Sequence, residues 1–415
     1  MTAPIDHRAL YRLPWNLADN PIAWLEPTQS CNLACDGCYR QNIKQHKSME
    51  EVESDLDVFA KLRNVDGVSI AGGDPLTHPE VVEIVRRVTA RGRKAIINTN
   101  GLALTREMLL DLKRAGLVGL TFHVDSRQGR PGWRDKTETQ MNELRSTYVD
   151  LVSSVGGLAL AFNSTVYEET LHEVPALVAW AGRNIDKVHT MVFIAYRAAV
   201  LEAFDYYAHG EKVDVNRLVY SLDAPRKTDI SARDVAARIK EACPDFEPCA
   251  YLNGTHQADS FKWLIGMRIG SKERTLGWVG AKFMEATQVG YHLASGRYLS
   301  YAPAKTLRTG RAVMASSWPF DKGVRQAAKN ALRHPLSFLR TQHLQTIVMI
   351  QPIDVAEDGT QNMCDGCPDM TVHDGKLVWS CRLEEPRTFG TFVQSVPKDV
   401  RPAKNVGGVA PVPTR

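Results

Sequence analysis

Short apolar runs alternate with longer segments of helical periodicity from residue 22 to about residue 200. This alternation is typical of strand and helix units that build a parallel sheet, and we count six units. The runs that we predict as strands are 23–27, 67–71, 94–98, 118–124, 158–162 and 189–194. The sequence therefore predicts an α/β fold for the first half of the chain.

Polar, glycine or cysteine residues stand at the carboxyl end of every predicted strand. In parallel α/β barrels these ends converge on one mouth, where the active site gathers. Any one of them could be an ordinary helix cap or turn former. As a set they predict chemistry on one face, with His123, Asp125, Tyr196 and Arg197 as candidates for substrate contact or proton transfer.

The loop after the first strand contains Cys31, Cys35 and Cys38, and the next cysteine along the chain is Cys243. A four-iron cluster needs one ligand per iron, so three thiolates leave one iron open to a small molecule. A zinc site is the alternative that the spacing leaves open, with His46 as the fourth ligand through a further loop.

The pattern Cys31-x3-Cys35-x2-Cys38 followed by Tyr39 resembles the signature of the radical S-adenosylmethionine (SAM) superfamily. The resemblance covers about residues 20–200 and includes the glycine pair after the second strand. It implies a partial (β/α)6 TIM-type barrel, a 4Fe-4S cluster on the three cysteines and SAM at the open iron. It also implies a set of SAM-binding residues: Tyr39, Gly72, Gly73, Asp74, Asn98, Asn100, Ser126, Asn163 and Val166.

The function that the resemblance implies is reductive cleavage of SAM to a 5'-deoxyadenosyl radical. The radical would modify an unactivated carbon of a small or lipid-like substrate. The enzyme would be an oxidoreductase or transferase that receives electrons from a donor such as a flavodoxin or ferredoxin. Asp74 stands where the family usually has glutamate, and its side chain is one methylene shorter. The resemblance therefore implies contacts with SAM through the neighbouring backbone more than through the Asp74 side chain. The competing class is a non-catalytic iron-sulfur or zinc protein that carries electrons or serves as a scaffold.

Five cysteines remain in the second half of the chain, and four of them could close another metal site. We predict Cys249, Cys364, Cys367 and Cys381, with Cys243 as a substitute, because Cys243 ends a helical pattern where a free buried cysteine is ordinary. The arrangement resembles the auxiliary-cluster extensions of radical SAM enzymes, and implies a second iron-sulfur cluster. Zinc or unligated thiols are the alternatives.

The stretch between Cys249 and Cys364 is both basic and apolar, and we expect it to set substrate specificity. Such a mixture suits an anionic bilayer or an amphiphile. A solvated basic helix that packs one core face is an equal alternative, and nucleic acid ranks lowest, since the net charge is only +4. The residues are Lys305, Arg308, Arg311, Trp318, Phe320, Lys322, Arg325, Lys329, Leu332, Arg333, Leu336, Phe338, Leu339 and Arg340, with Asp321 as the one acid.

The chain has 415 residues, of which 44% are apolar, enough for a large buried core. We divide it into an N-terminal segment (1–19), the barrel (20–200), a C-terminal extension (201–395) and a flexible tail (396–415). Eight cysteines are too few for a disulfide scaffold, and no apolar run reaches signal or membrane-spanning length. The expected location is the cytoplasm, with peripheral membrane contact.

Overall fold

A sheet of parallel strands with intervening helices forms the first half of the chain. The computed structural model describes residues 5–196, 202–218, 230–257 and 260–398, without the side chains of Arg217 and Phe338. Arg197 and the tail beyond residue 398 lie outside this part. The elements are β1 (Tyr11–Arg12), β2 (Ile22–Leu25), α1 (Met49–Leu62), β3 (Gly67–Ile70), α2 (Val81–Ala90), β4 (Lys94–Thr99), α3 (Arg106–Arg114), β5 (Leu117–His123), α4 (Asn142–Val155), β6 (Ala159–Val166), α5 (Val174–Arg183) and β7 (Thr190–Ala195).

Strands β2 to β7 are parallel neighbours in chain order, so the six predicted units are confirmed. The main difference concerns β6, which continues to Val166 instead of ending at Phe162. Its side chains keep alternating in burial through this extension, so Asn163 lies within the strand rather than after it.

Helix α1 shows why these segments fold as the pattern predicts. Ser48 accepts a hydrogen bond from the Glu51 backbone N–H (3.2 Å), and Glu51 accepts one from the Ser48 N–H (2.7 Å), which forms a capping box from the sequence pattern Ser-x-x-Glu. Val52, Leu56 and Phe59 are buried in the core between the helices and the sheet. The helices therefore cover the sheet and leave its carboxyl ends to the loops.

The second half of the chain adds strands to the same sheet. β13 pairs in parallel with β7 and antiparallel with β11, and the strand order runs β1-β10-β11-β13-β7-β6-β5-β4-β3-β2, with β12 beside β11. The elements are β8 (Phe204–Ala208), β9 (Glu211–Lys212), α6 (Ala232–Ala242), β10 (Ala250–Leu252), β11 (Trp263–Gly270), β12 (Thr275–Trp278), α7 (Ala281–Ser295), α8 (Gly310–Ser317), α9 (Lys322–Arg333), β13 (His343–Ile350), β14 (Asp354–Val355), β15 (Gln361–Asn362), β16 (Met370–His373), β17 (Lys376–Trp379), α10 (Glu384–Phe389) and β18 (Gln394–Pro397).

The sheet is a partial barrel, because β1 and β2 end the order without pairing with each other in the described residues. The predicted boundary near residue 200 stays a sequence prediction, since β13 joins β7 directly. Val396 and Pro397, which the sequence analysis assigned to the tail, lie in β18 beside β8. No helix in the described ranges combines the length and apolarity needed to cross a bilayer.

Candidate active site

The loop after β2 contains Cys31, Cys35 and Cys38 and is fixed from several sides. Asn42 accepts a hydrogen bond from the Cys31 N–H (3.0 Å) and returns one to the Cys31 carbonyl (3.0 Å). The Asp36 N–H donates to the Arg127 carbonyl (2.8 Å), and the Tyr167 hydroxyl donates to the Asp36 carbonyl (2.6 Å). Loops from other strand ends therefore hold the cysteine loop at the mouth.

Gly72 and Gly73 approach the chain that leads into Cys31. The Gly73 N–H donates to the Thr28 carbonyl (2.9 Å), and the Asp74 N–H donates to the Ser30 carbonyl (2.8 Å). A Cβ at either glycine would lie 2.3 Å from a carbonyl oxygen, at Thr28 or Ser30. The glycine pair therefore permits a close contact between two loops, and its predicted contact with SAM stays a prediction.

Asp74 is buried and its carboxylate is already occupied. It accepts hydrogen bonds from the backbone N–H groups of Leu76 (2.9 Å) and Asn100 (2.7 Å) and from the Thr99 hydroxyl. Burial is the largest influence on Asp74 and raises its pKa. The carboxylate thus ties the loop after β3 to the end of β4, and the predicted contact of this stretch with SAM stays a prediction.

Two asparagines on β4 and β6, the strands that flank β5, have buried atoms without a partner among the described residues. They are the Asn98 Nδ2 on β4 and the Asn163 Oδ1 on β6. An unmade hydrogen bond in a buried group costs about 1–3 kcal/mol, so a bound ligand or water is one way to satisfy such a group. A donor and an acceptor at this mouth fit a polar cofactor such as SAM.

The other predicted SAM-binding residues lie around the same mouth. Asn100 places its Nδ2 3.6 Å from the Cys31 Sγ and 2.7 Å from the Asn32 Oδ1. Ser126 donates its N–H to Glu138 (2.7 Å), and Tyr39 is partly exposed beside the Arg40 guanidinium. Val166 is 2% exposed within the core, which leaves little of it for an adenine contact.

His123 and Asp125 form a hydrogen-bonded pair at the end of β5. The His123 Nε2 lies 2.9 Å from the Asp125 Oδ2 and 3.1 Å from the Thr165 hydroxyl. Burial alone would raise the pKa of Asp125, but hydrogen bonds from His123 and from the Arg127 and Thr165 N–H groups hold it below its ordinary value. The structure thus brings two predicted candidates together as an ionised carboxylate beside an imidazole.

Tyr196 is a packing partner of the cysteine loop. Its ring lies against Tyr167, with centroids 4.9 Å apart, and close to Gly37. Gly37 has a φ of +67°, and a Cβ there would lie 2.6 Å from the Tyr196 ring. The ring therefore restricts the residue and the backbone conformation at position 37 of the loop. The predicted role of Tyr196 toward substrate stays a prediction, as does that of Arg197.

Buried charges that the sequence analysis missed also surround the loop. Arg40, two residues after Cys38, forms an ion pair with Glu26 and donates to the Ser380 hydroxyl (2.7 Å). Burial would raise the pKa of Glu26, but Arg40 and Ser380 hold it below its ordinary value. A glutamate directly after an apolar strand was the available signal for this pair.

Arg130 is a second buried cation that the sequence analysis missed. It donates to the carbonyls of Asn100 (2.6 Å) and His123 (2.8 Å) and to Gln128 (2.6 Å). Arg130 therefore joins the ends of β4 and β5 under the cysteine loop. Its sequence surroundings carry no periodic or motif signal that marks it as buried.

A second group of cysteines lies at the hairpin of β16 and β17. Cys364 and Cys367 share a hydrogen bond that, with burial, raises the pKa of Cys367. The Ser380 N–H donates to the Asp369 carbonyl (2.9 Å), which brings Cys381 beside this pair. Asp369 adds a buried carboxylate oxygen without a hydrogen-bond partner in the described ranges, and burial raises its pKa to about 7.

Cys249 is not brought to that group. It precedes β10, and its thiol lies 3.4 Å from the Ile265 carbonyl, whereas Cys364 pairs with Gly254 beyond the other end of β10. Five residue steps separate Cys249 from Gly254, and an extended chain of that length spans on the order of 16 Å. Cys243 ends α6 beside the charges of Arg268 and Asp245. The structure therefore groups three of the four predicted ligands.

In the part of the chain that the structure covers, no three His, Cys, Asp or Glu side chains are arranged to hold one ion. Burial raises the pKa of Cys31, Cys35 and Cys38. Iron binding would therefore release protons from the three thiols. The thiols would also have to turn toward each other, and a loop without regular secondary structure permits that change.

Comparison with known proteins matches residues 25–145 to the Radical SAM superfamily. The cofactor-modifying protein for tungsten-containing aldehyde ferredoxin oxidoreductase of Pyrococcus furiosus is 36% identical over 110 residues, 25% of this chain and 30% of that protein. A PqqA peptide cyclase of Methylorubrum populi is 24% identical over 257 residues, 55% of this chain and 62% of that protein. The chain thus spans less than two thirds of these relatives.

Among solved structures, Streptococcus suis SuiB bound to S-adenosylmethionine is similar, with a TM-score of 0.39 and 15% identity over 55% of this chain and 48% of that chain. The enzyme anSMEcpe with bound AdoMet has a TM-score of 0.36 and 15% identity, over 53% of this chain and 58% of that chain. Scores of this size do not establish a common fold by themselves.

Proposed function

We propose that this chain, whose residues 25–145 match the Radical SAM superfamily model, is an enzyme of that superfamily that cleaves SAM reductively to modify an unactivated carbon. The observation that carries the proposal is the cysteine triplet in the loop after β2, on the same sheet as the unpartnered Asn98 Nδ2 of β4 and Asn163 Oδ1 of β6. A zinc site would not need a buried donor and acceptor at the same mouth. Those two atoms favour a polar organic cofactor next to the thiols.

The chain's own residues would divide the work at this mouth. Cys31, Cys35 and Cys38 would hold three irons of a 4Fe-4S cluster, and SAM would lie at the fourth iron toward Asn98 and Asn163. When bound, the cluster and SAM supply the 5'-deoxyadenosyl radical that removes a hydrogen atom from the substrate. The loops around the cysteines would exclude water from this reactive species.

His123 and Asp125 would handle a proton at the same mouth. Asp125 keeps its charge because its pKa is held low, so it orients the His123 imidazole through their hydrogen bond. The pair lies at the end of β5, one unit from each unpartnered asparagine. This position supports a role in proton transfer to or from the substrate or its product.

We also propose a second iron-sulfur cluster at the hairpin cysteines, an electron donor such as a flavodoxin or ferredoxin, and a peripheral contact with a membrane. The proposed substrate is small or lipid-like. A peptide is the second candidate, favoured by the longest of the alignments given above, which is to a PqqA peptide cyclase. The two candidates differ in size, so a substrate search should include both classes.

The test is SAM cleavage by the reconstituted protein. After anaerobic reconstitution with iron and sulfide and reduction with dithionite, the wild-type chain should form 5'-deoxyadenosine from SAM, because the three thiols retain the cluster. The Cys31→Ala variant should lose at least ~100-fold in rate, since one ligand is gone. Chromatographic quantification of 5'-deoxyadenosine against time is the measurement.

The matched control is Cys243→Ala, which removes a buried thiol at the end of α6, away from the mouth. It should keep both iron and activity. Formation of equal amounts of 5'-deoxyadenosine by wild type and Cys31→Ala would contradict the proposed enzymatic function. Recovery of zinc in place of iron would favour the scaffold instead.

A further inference from the structure

Helix α9 and the turns at its two ends carry an unusual set of exposed residues, here called the basic-apolar surface. Leu332, Leu336 and Leu339 are 70%, 73% and 81% exposed, and Trp318 and Phe320 are about half exposed. Lys322, Lys329 and Arg333 are exposed on the helix between them. Scattered apolar residues on a surface are ordinary, but five within 22 residues and flanked by cations are not.

The surface is held on a fixed frame. Val324, Ala327 and Ala331 are buried on the opposite face of α9, which packs on β12. Asp321 caps the helix through the Val324 N–H (2.8 Å) and also accepts from the Gly280 N–H (2.8 Å). The exposed face of α9 is therefore set by buried contacts.

The apolar ends are held by side chains of the same segment. Arg325 donates to the carbonyls of Trp318 (3.2 Å) and Pro319 (2.6 Å), which fixes the aromatic turn before α9. After α9, Leu336 and Leu339 belong to the 3-10 turn Pro335–Leu339, where side chains three residues apart lie over one another. Gln342 donates to the Ser337 carbonyl of that turn (2.7 Å). Both apolar ends therefore project from ordered backbone.

The charges of the surface are not neutralised locally. Lys322, Lys329 and Arg333 have no acidic partner among the residues that the structure describes, and Asp321 is 1% exposed within the cap. The surface therefore offers positive charge together with protruding leucines and aromatics.

This combination discriminates between partners. A second copy of the chain would oppose like charges, and nucleic acid would leave the leucines without a role. Lipid headgroups can neutralise the cations while the aromatics and leucines enter the acyl boundary, as in interfacial helices. The exposed side chains protrude instead of lining a groove, which suits a fluid layer better than a rigid protein partner.

We propose that the basic-apolar surface docks the protein on a bilayer rich in anionic phospholipid. This proposal assigns a defined surface to the membrane contact that is part of the proposed function. It rests on the proposed function only for the biological role of that contact. Lys322, Lys329 and Arg333 bind phospholipid headgroups, and Leu336, Leu339, Trp318 and Phe320 enter the interface. Helix α9 lies along the membrane plane with its buried face toward β12.

The test uses the full chain and sedimentation with vesicles, in the absence of SAM. Wild type should bind vesicles of phosphatidylcholine with about 30% phosphatidylserine and not pure phosphatidylcholine, and about 0.5 M salt should release most of it. Two variants should each reduce binding about tenfold or more: Lys322→Glu/Lys329→Glu/Arg333→Glu, and Leu336→Ser/Leu339→Ser. Arg325 is left intact because it fixes the aromatic turn.

Matched controls change the same residue types elsewhere. Leu293→Ser alters a leucine that is 82% exposed on α7, and Lys61→Glu/Arg106→Glu/Lys136→Glu reverses three exposed charges on the barrel. Both should bind like wild type. Absence of binding at low salt, or full binding by the Leu336→Ser/Leu339→Ser variant, overturns the proposal. Neither result involves SAM cleavage, so the proposed function is tested separately.

Discussion

Gly37 is the residue on which the shape of the cysteine loop depends most directly. Alanine at this position would place a Cβ 2.6 Å from the Tyr196 ring in a backbone with a φ of +67°. We expect Gly37→Ala to cost about 1 kcal/mol from the backbone and about 1–3 kcal/mol from the forced displacement of the ring. Thermal unfolding and iron content after reconstitution should both fall.

Gly92 supplies the matched control for Gly37. Its φ is +66°, and an added Cβ would meet nothing within 4 Å. Gly92→Ala should therefore show the backbone cost alone and retain iron like wild type. If the two variants lost stability and iron equally, close contact with Tyr196 would not be what shapes the loop.

The residues that the sequence identified are those whose chemistry is local. The spacing of Cys31, Cys35 and Cys38 is complete within one loop, and the structure places Asn98 and Asn100 at the end of β4 as expected, whereas Asn163 lies within β6. Asp74 could not be interpreted from sequence, because its partners Thr99 and Asn100 reach it only through the pairing of β3 with β4. The buried Arg130 was missed for the same reason.

At the scale of elements, the β16–β17 hairpin is what gathers cysteines from distant positions. It brings Cys381 to Cys364 and Cys367, while β10 keeps Cys249 at its other end. We expect the triple variant Cys364→Ala/Cys367→Ala/Cys381→Ala to lose about half of the iron bound by wild type, because one of two clusters is lost. Iron analysis with electron paramagnetic resonance of the first cluster is the measurement.

Cys249→Ala is the comparison that decides the ligand set. It should keep its iron, since Cys249 lies apart from the other three thiols. Unchanged iron in the triple variant would contradict a second cluster. Iron loss in Cys249→Ala would restore Cys249 as a ligand, as the sequence analysis predicted.

The elements themselves were largely predictable, because each depends on local periodicity and caps. Helix α1 begins at a capping box whose Ser-x-x-Glu pattern is local in the sequence, and the six parallel strands fall within a few residues of the predicted runs. The pairing of β13 with β7 was not predictable, since nothing in residues 343–350 marks them as the neighbours of a strand about 150 residues earlier. Long-range pairing is decided by packing that no single segment encodes.

At the scale of the whole molecule, Arg40 connects the two cysteine regions. It follows Cys38 in the first loop and donates to Ser380, the neighbour of Cys381, while Glu26 accepts from both Arg40 and Ser380. Arg40→Ala would leave Glu26 buried without its cation, at a cost of about 3–5 kcal/mol. We expect lower thermal stability and faster hydrogen exchange in residues 376–382.

Arg145→Ala is the control for this connection. Arg145 is also fully buried and pairs with a buried glutamate, Glu138, beside the carboxyl end of β5, where Arg145 also donates to the Val124 carbonyl. It should lose comparable stability while residues 376–382 keep their slow exchange. If both variants accelerated exchange there equally, Arg40 would stabilise the fold without linking the two regions. The variant Arg40→Ala/Glu26→Gln should recover part of the loss, since the unpaired charge is removed.

The pairing of β7 with β13 also governs the order in which the protein can mature during synthesis. Until residues 343–350 leave the ribosome, β7 presents an open parallel edge, and such edges invite pairing with other chains. At about 5–20 residues per second, the roughly 150 intervening residues take on the order of 10–30 s to appear. A nascent chain of this protein should therefore engage chaperones during that interval, and iron delivery before its end would meet a half-built sheet.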